Sequence, residues 1–492
     1  MKVFGNAIDP RVVNRAQKKA RGCVKRFGDD SQGEYVLKLM EHPQLGQTLG
    51  LWDIALNGDP LVNGTPPESA VFDSRKSIIV GNIRMGFGHY RIAIAMASAA
   101  NALGIRPYWF DLHRYQETTG GKIVAHLNGL YAMGSRWSQQ YKLFNKLYWE
   151  PLNSEGFRKL SYHVEDWHTT QLMTPIFKNL PKEMPFIGTH VWPAQAAVHA
   201  GMTKVVNAIP DNWPMALHLA EGTLHTVQTP SSYWGYRNLK GMQGDTVLRP
   251  MPKEAISMTG HYIDAEILES LEGDNILRRQ RLSSDAPLRV LITVGGAGAQ
   301  FALFKALIEK LMPYVQKKRV LLMLNVGDHL GVWEKLERAI PGLKELTEEH
   351  FDQWEGTKGW ISKLNEHPAG IHAFYHKDIF AAVYSTNLMM PKVDLMLTKP
   401  SELAFYPVPK LMLPRVGGHE AWGAVRAAEL GDGTPECETI EAALIQLETL
   451  LEDKDALLAM IDAIDLQSKI GTYDGAFKVV QHAMDMPTSG RL

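Results

Sequence analysis

Apolar residues along this chain arrive in short dense runs. Ser77 to Val80 reads SIIV, Arg106 to Leu112 reads RPYWFDL, Leu288 to Val294 reads LRVLITV and Arg319 to Val326 reads RVLLMLNV. Runs of this length, bounded by turn residues, predict strands buried on both faces, as in a parallel sheet. Between the first two, Ile92, Met96, Ala99 and Leu103 recur at helical spacing. They predict a helix from about His89 to Leu103, which Gly104 stops. Strand, glycine turn, helix and strand make a βαβ unit, and a right-handed crossover places both strands in one parallel sheet.

The same grammar returns two hundred residues later, with a glycine turn at Gly295 to Gln300 (GGAGAQ) and a helix from Phe301 to Met312. Further strands are expected at Pro185–Ile187, around Val205, and at Ile371–Phe374, Val393–Leu397 and Lys410–Leu413. A last helix is expected at about Gly475 to Met484. Two such units predict an α/β fold of two Rossmann-like, doubly wound domains. Their expected extents are residues 75–262 and 263–492, joined near Arg249 to Ile263, with the last helix packing back on the first. Residues 1–74 mix basic, helix-like text (Arg11 to Arg26) with the run NGDPLVNGTPPES. They read as an N-terminal extension ending in a loop.

Composition narrows the function classes. A chain of 492 residues exceeds one ordinary core. Lys plus Arg total 52 against 53 Asp plus Glu, so no overall basic surface exists and nucleic acid is not an expected partner. Cys23 and Cys437 are the only cysteines, lie far apart and form no metal-ligand spacing, which predicts a reducing compartment without a disulfide framework. The first residues hold no apolar core of signal-peptide length, and no stretch of about 18 uncharged apolar residues occurs. The expected location is cytoplasmic, with peripheral membrane contact left open.

Candidate chemistry gathers at predicted strand ends. The first glycine turn closes as Gly86-Phe-Gly88-His89, where glycines let a ligand approach and the following helix aims free N–H groups outward. A histidine at a helix N-terminus is kept neutral by the dipole and suits general-base work on a hydroxyl; capping its own helix is the plainer role. The second turn offers Gly295, Gly296 and Gly298 to phosphate. It departs from the G-x-G-x-x-G dinucleotide pattern and lacks an acidic residue closing the next strand, so no NAD or other cofactor is expected. A third cluster runs from Asp394 through Lys399, Ser401 and Glu402 to Gly417, Gly418, His419 and Glu420. Successive strand ends opening into helix N-termini form a binding crevice. Glu402 could take two ribose hydroxyls, or, like Glu420, merely satisfy a helix dipole. Asp211 and Trp213 follow another strand; Asp211 could orient His89 or touch sugar, and Trp213 could stack on a sugar face. Structural roles are the alternative for both.

These residues resemble a known family. Gly86-Phe-Gly-His89 with its alanine-rich helix, ending at Phe110-Asp111, resembles the Gly-Gly-Gly-His segment of monogalactosyldiacylglycerol synthases and the Gly-Gly-His turn of the peptidoglycan N-acetylglucosaminyltransferase. Asp394 to Glu420 resembles the donor signature of the same family, with Ser401-Glu402 in place of Gly-Gly. The resemblance implies the GT-B fold, two domains facing across a cleft. It implies a nucleotide-diphosphate sugar, usually a UDP-sugar, on the C-terminal domain, an acceptor on the N-terminal one, and no metal. His89 matches the family base and Glu402 the ribose-binding glutamate, while His419 and Glu420 fall where the donor sugar is held. The expected activity is an inverting glycosyl transfer. A nucleotide-sugar epimerase of the same fold and an inactive donor-binding protein are the alternatives. Tyr131 to Tyr148 resembles an aromatic, basic segment of the lipid-linked members, implying a lipid-linked acceptor. Residues Arg136 to Arg158, with Lys159 nearby, read either as a core helix with a solvated face or as a membrane-surface segment.

Overall fold

The computed structural model describes residues 1–56, 72–295, 298, 300–364 and 369–487. The run NGDPLVNGTPPES and Gly296 lie outside them. The chain divides into two compact units: residues 1–85, 92–265 and 474–492 form the first, and residues 86–91 and 266–473 the second. Each is an α/β unit on a largely or wholly parallel sheet, the fold class expected from the sequence.

The first sheet has eight strands: β1 (Leu37–Glu41), β2 (Trp52–Leu56), β3 (Ser77–Asn82), β4 (Arg106–Asp111), β5 (Phe186–Gly188), β6 (Val205–Ala208), β7 (Leu224–Val227) and β8 (Ile256–Met258). Their order is β8-β7-β6-β5-β3-β4-β2-β1. All pairs are parallel except β1 with β2. The stretch expected as an extension therefore supplies one edge of this sheet. Its strand β1 reads LKLME with alternating burial. That half-buried edge pattern is easily lost between a basic helix, α1 (Pro10–Phe27), and a glycine-rich run. Helix α2 (Gly88–Ala102) links β3 to β4, α3 (Val191–His199) follows β5, and the closing helix α4 (Gly475–Asp485) groups with this unit.

The second sheet has six strands: β9 (Leu288–Thr293), β10 (Val320–Asn325), β11 (Thr347–Phe351), β12 (Gly370–Tyr375), β13 (Leu395–Thr398) and β14 (Lys410–Met412). All pairs are parallel, in the order β11-β12-β10-β9-β13-β14. Alternate residues Val290, Ile292, Leu322, Leu324, Ile371, Leu395 and Leu397 join one core with Leu303, Phe304 and Leu307 of helix α5 (Phe301–Gln316). The intervening Leu291, Leu321, Met323 and Met396 are equally buried, which is why the runs are dense rather than alternating. The chain lays β9 and β10 in one direction, returns past β9 to place β13, and so has its switch point between β9 and β13.

Candidate functional site

The open end of that switch point holds a pocket. Its lining includes Thr293 and Gly295 at the end of β9, Asn325 and Gly327 at the end of β10, Lys399, Ser401 and Glu402 after β13, and Phe87 and Arg91. All belong to the second unit, because the first turn of α2 groups there. Ligands of doubly wound sheets bind beyond the carboxyl ends of the strands at the switch point.

Arg91 is the chemical centre of this pocket. It is 2% exposed. Its Nη1 donates to Asn387 Oδ1, while its Nε is buried with no hydrogen-bond partner among the described residues. The nearest carboxylate, Glu402 Oε1, stands 3.8 Å from that Nε, beyond hydrogen-bond reach. The guanidinium also lies 5.9 Å from the Tyr406 ring centre. A buried guanidinium with donor capacity left over favours an anion. Phe87 and Arg91, four residues apart, share one face of the turn. The sequence signal was an arginine inside an otherwise alanine-rich apolar helix, and it was missed in favour of His89.

Glu402 reaches the start of α2. A Cβ at Gly88 would lie 3.1 Å from Glu402 Oε2, so glycine is what admits the carboxylate. The first turn of α2 carries no acidic residue of its own, and Glu402 supplies negative charge where the dipole favours it. Gly327, at φ +64°, plays a similar part, since a Cβ would meet the Phe87 ring at 2.6 Å. Helix α5 begins after Gln300, whose side chain makes no cap and instead donates to Pro414 O at 2.6 Å. Among the described residues, Gln300 thus gives the first N–H groups of α5 no side-chain cap. The tight turn before it is closed by Gly298 N–H donating to Gly295 O at 2.9 Å.

Lys399 and Glu420 form an ion pair. Glu420 Oε2 also accepts from the backbone N–H of Val416 at 2.8 Å and Gly417 at 3.3 Å. Burial alone would raise the Glu420 carboxyl, but Lys399, His419 and these N–H groups hold it below its ordinary value. Gly418 opens the short turn Gly418–Glu420, after which helix α6 runs from Ala421 to Leu430, two residues later than expected at His419. His419 Nδ1 is buried with no hydrogen-bond partner among the described residues. The helix expected at Pro400 is a single turn, Glu402–Phe405. Pro407 and Pro409 follow closely and remove donors that a longer helix would need.

The structure therefore gathers Gly88, Gly295, Lys399, Ser401 and Glu402 around one pocket, with Glu420 and Gly417 behind Lys399. His89 is the second residue of α2 and half-buried, and Gly86 precedes it at φ +75°. Asp211 belongs to the first unit. Its Oδ2 lies 3.2 Å from His218 Nε2, and His218 Nδ1 lies 2.6 Å from the Tyr236 hydroxyl. Burial pushes that hydroxyl well above its ordinary pKa, so it stays protonated. His218 is thus a histidine beside Asp211. Trp213, expected to offer a face to sugar, has the Arg158 guanidinium 5.2 Å from its ring centre.

The aromatic segment is exposed. Trp137 is 46% exposed, Tyr141 59%, Leu143 70%, Leu147 68% and Tyr148 59%, while Trp149 is buried. Lys146 and Lys159 are exposed nearby, and the side chains of Arg136 and Lys142 lie outside the described residues. Among the described residues no helix is long and apolar enough to cross a membrane.

Comparison with known proteins places residues 2–238 in a match to the family model described as Domain of unknown function (DUF6937), and residues 251–484 in a match to Domain of unknown function (DUF6938). No curated protein matches the sequence. Among solved structures, the chain is similar to the UDP co-structure of MnaA from S. aureus at 12% identity, over 84% of this chain and 98% of that one, with a TM-score of 0.47. It is similar to UDP-GlcNAc 2-epimerase from Neisseria meningitidis bound to UDP-GlcNAc at 12% identity, over 82% and 99%, with a TM-score of 0.42. It is also similar to the alpha,alpha-trehalose 6-phosphate synthase of Burkholderia multivorans at 11% identity, over 83% and 98%, with a TM-score of 0.43.

Proposed function

We propose that the protein is a glycosyltransferase that takes sugar from a nucleotide-diphosphate donor, a UDP-sugar, in the pocket of the second unit. The observation that carries this reading is the pairing of a buried, under-satisfied Arg91 with the carboxylate of Glu402 at one switch-point pocket. Arg91, Lys399 and the uncapped start of α5 suit a diphosphate. Glu402, with no hydrogen bond to Arg91, is left to accept from two ribose hydroxyls. His419 Nδ1 and the Gly417–Gly418 turn suit the sugar. Gly86, Gly88, Gly295 and Gly298 leave room for the ligand to approach backbone.

In the transfer step, His89 accepts the proton of an acceptor hydroxyl. The hydroxyl oxygen bonds to the anomeric carbon as the bond from that carbon to the diphosphate oxygen breaks. The electron pair leaves with UDP, whose new charge the cations and helix start receive. Attack opposite the leaving group inverts the anomeric centre. A thermal-shift screen against UDP-, GDP- and dTDP-sugars tests the donor, with UDP or a UDP-sugar expected to raise the melting temperature. An epimerase would instead release an isomer of the donor sugar with no acceptor present.

Glu402→Ala is expected to weaken UDP binding by about 1–3 kcal/mol, through loss of charge-assisted hydrogen bonds to ribose. Calorimetry is the measurement. Unchanged or tighter binding would mean that Glu402 serves only to balance Arg91 and the α2 N-terminus.

The acceptor on this reading is lipid-linked and met at a membrane surface. Trp137, Tyr141, Leu143, Leu147 and Tyr148 supply aromatic and apolar contact, and Lys146 supplies charge. The chain is expected to co-sediment with anionic liposomes at low salt, and a Trp137→Ser/Leu143→Ser double variant to remain in the supernatant. Wild-type protein that stays in the supernatant at low salt would remove the membrane from the proposal.

A further inference from the structure

A second cluster of reactive side chains sits at the edge of the second sheet, on β11 and β12, beyond β10. Strands β11 and β12 pair in the parallel register Glu348↔His372 and His350↔Phe374. Strand alternation sends Glu348 and His350 to one face and Glu349 and Phe351 to the other. The second pair meets Trp333: its Nε1 donates to Glu349 Oε1 at 2.9 Å, and its ring stands edge-on to Phe351 at 5.9 Å between centres. On the first face, His350 Nε2 lies 3.2 Å from His372 Nδ1. Glu348 Oε1 is 3.7 Å from His350 Nε2, and its Oε2 is 3.6 Å from His372 Nδ1.

We propose that Glu348, His350 and His372 form a binding site for a borderline divalent metal ion, Zn²⁺ above all. The spacing carries the inference. Donors held at about 2.0–2.2 Å from a tetrahedral ion stand about 3.3–3.6 Å from one another; the two imidazole nitrogens here stand 3.2 Å apart, the Glu348 carboxylate reaches one of them with each oxygen, at 3.7 and 3.6 Å, and one donor atom from each residue gives a set within 4.8 Å. Two imidazoles with one carboxylate are a zinc-type donor set, whereas Mg²⁺ and Ca²⁺ take oxygen alone. The rings are already oriented. Trp360 packs 4.8 Å from His350 and 4.2 Å from His372, and Phe374 stacks on His350 at 4.7 Å with planes 13° apart. Both imidazoles are nearly buried, while the Glu348 side chain is 58% exposed. Solvent on that side provides water as the fourth ligand. The metal would tie edge strand β11 to β12, a stabilising role independent of the proposed transferase chemistry.

The full chain, free of any affinity tag and stripped with chelator, is titrated with Zn²⁺ by calorimetry and with Co²⁺ by visible absorption. One equivalent of each is expected, with the d–d bands of a four-coordinate Co²⁺ site and a rise in melting temperature on Zn²⁺ addition. Glu348→Gln changes an exposed position, keeps the fold, and is expected to lower affinity by more than the roughly 10–100-fold that loss of an outer-shell partner costs. His372→Asn is expected to abolish the Co²⁺ bands. The protein has 18 histidines, so weak scattered binding is the competing outcome. Absence of a stoichiometric site, or equal Zn²⁺ affinity in wild type, Glu348→Gln and His372→Asn, would overturn the proposal.

Discussion

His89→Ala is expected to cut turnover about 10²–10⁴-fold, the usual worth of a positioned general base. UDP affinity is expected to change little, because Arg91, Lys399 and Glu402 rather than His89 line the pocket. His89→Gln keeps some hydrogen bonding but no basicity, and should be nearly as slow. The native activity should fall as pH drops through the imidazole range, and the slow residual activity of the variant should lose that limb. Steady-state and single-turnover rates at saturating donor are the measurements. A variant that loses UDP binding but keeps its single-turnover rate would make His89 a ligand contact and reopen the search for the base.

The second large effect is on stability in mild acid. Burial holds three histidines neutral: His42 and His163 are pushed down to about 3, and His225 to about 4. Their hydrogen bonds point the same way. His42 Nδ1 accepts from the backbone N–H of Gln44 and Leu45, and His225 Nε2 accepts from Ala220 N–H. A depressed histidine pKa means that below about 6.5 the unfolded chain binds protons that the folded chain refuses. Folding stability is therefore present above that pH and lost as pH falls. His199 and His376, pushed to about 4, act in the same direction. Asp166 opposes them: burial raises it to about 7, so its contribution grows as pH falls through that value. Three fully buried histidines against one carboxyl leave about two protons, or roughly 3 kcal/mol per pH unit between pH 6 and 5. Against a typical total of about 5–15 kcal/mol, that is a large loss. Urea midpoints should drop steeply from pH 7 to 5; a midpoint that holds or rises over that interval would refute the account.

The parts of the fold legible in the sequence were those where local and tertiary signals agree. β9 and β10 are apolar on both faces along most of their length because both faces are covered, so their bounds could be read within a residue or two. β11 reads TEEHF and was not legible. It is an edge strand with little to bury, and pairing with β12 rather than composition makes it a strand. β1, the half-buried edge of the first sheet, was missed for a related reason. At the site, Lys399, Ser401, Glu402 and Gly295 could be found because residues just beyond a predicted parallel strand face the ligand edge. The ion pair of Lys399 with Glu420 could not, since it joins loops twenty-one residues apart through a register that only folding sets. Arg91 was hidden for the opposite reason: its helix was predicted correctly, but that the helix's first turn groups with the second unit is a tertiary fact.

The two borders of the second sheet are protected differently, and this bears on how the protein behaves when crowded. Beyond β14, the chain itself fills the open hydrogen-bonding positions: Lys410 N–H donates to Asp432 O, and Lys410 O and Met412 O accept from Thr434 and Cys437. Beyond β11 no strand is paired among the described residues, and Glu348 and Glu349, one on each face of that strand, are exposed and charged. A foreign strand approaching that border would have to strip water from two carboxylates before gaining a single main-chain bond. Acidity at β11 thus acts as a gatekeeper against cross-β association at the margin of an otherwise strongly apolar sheet.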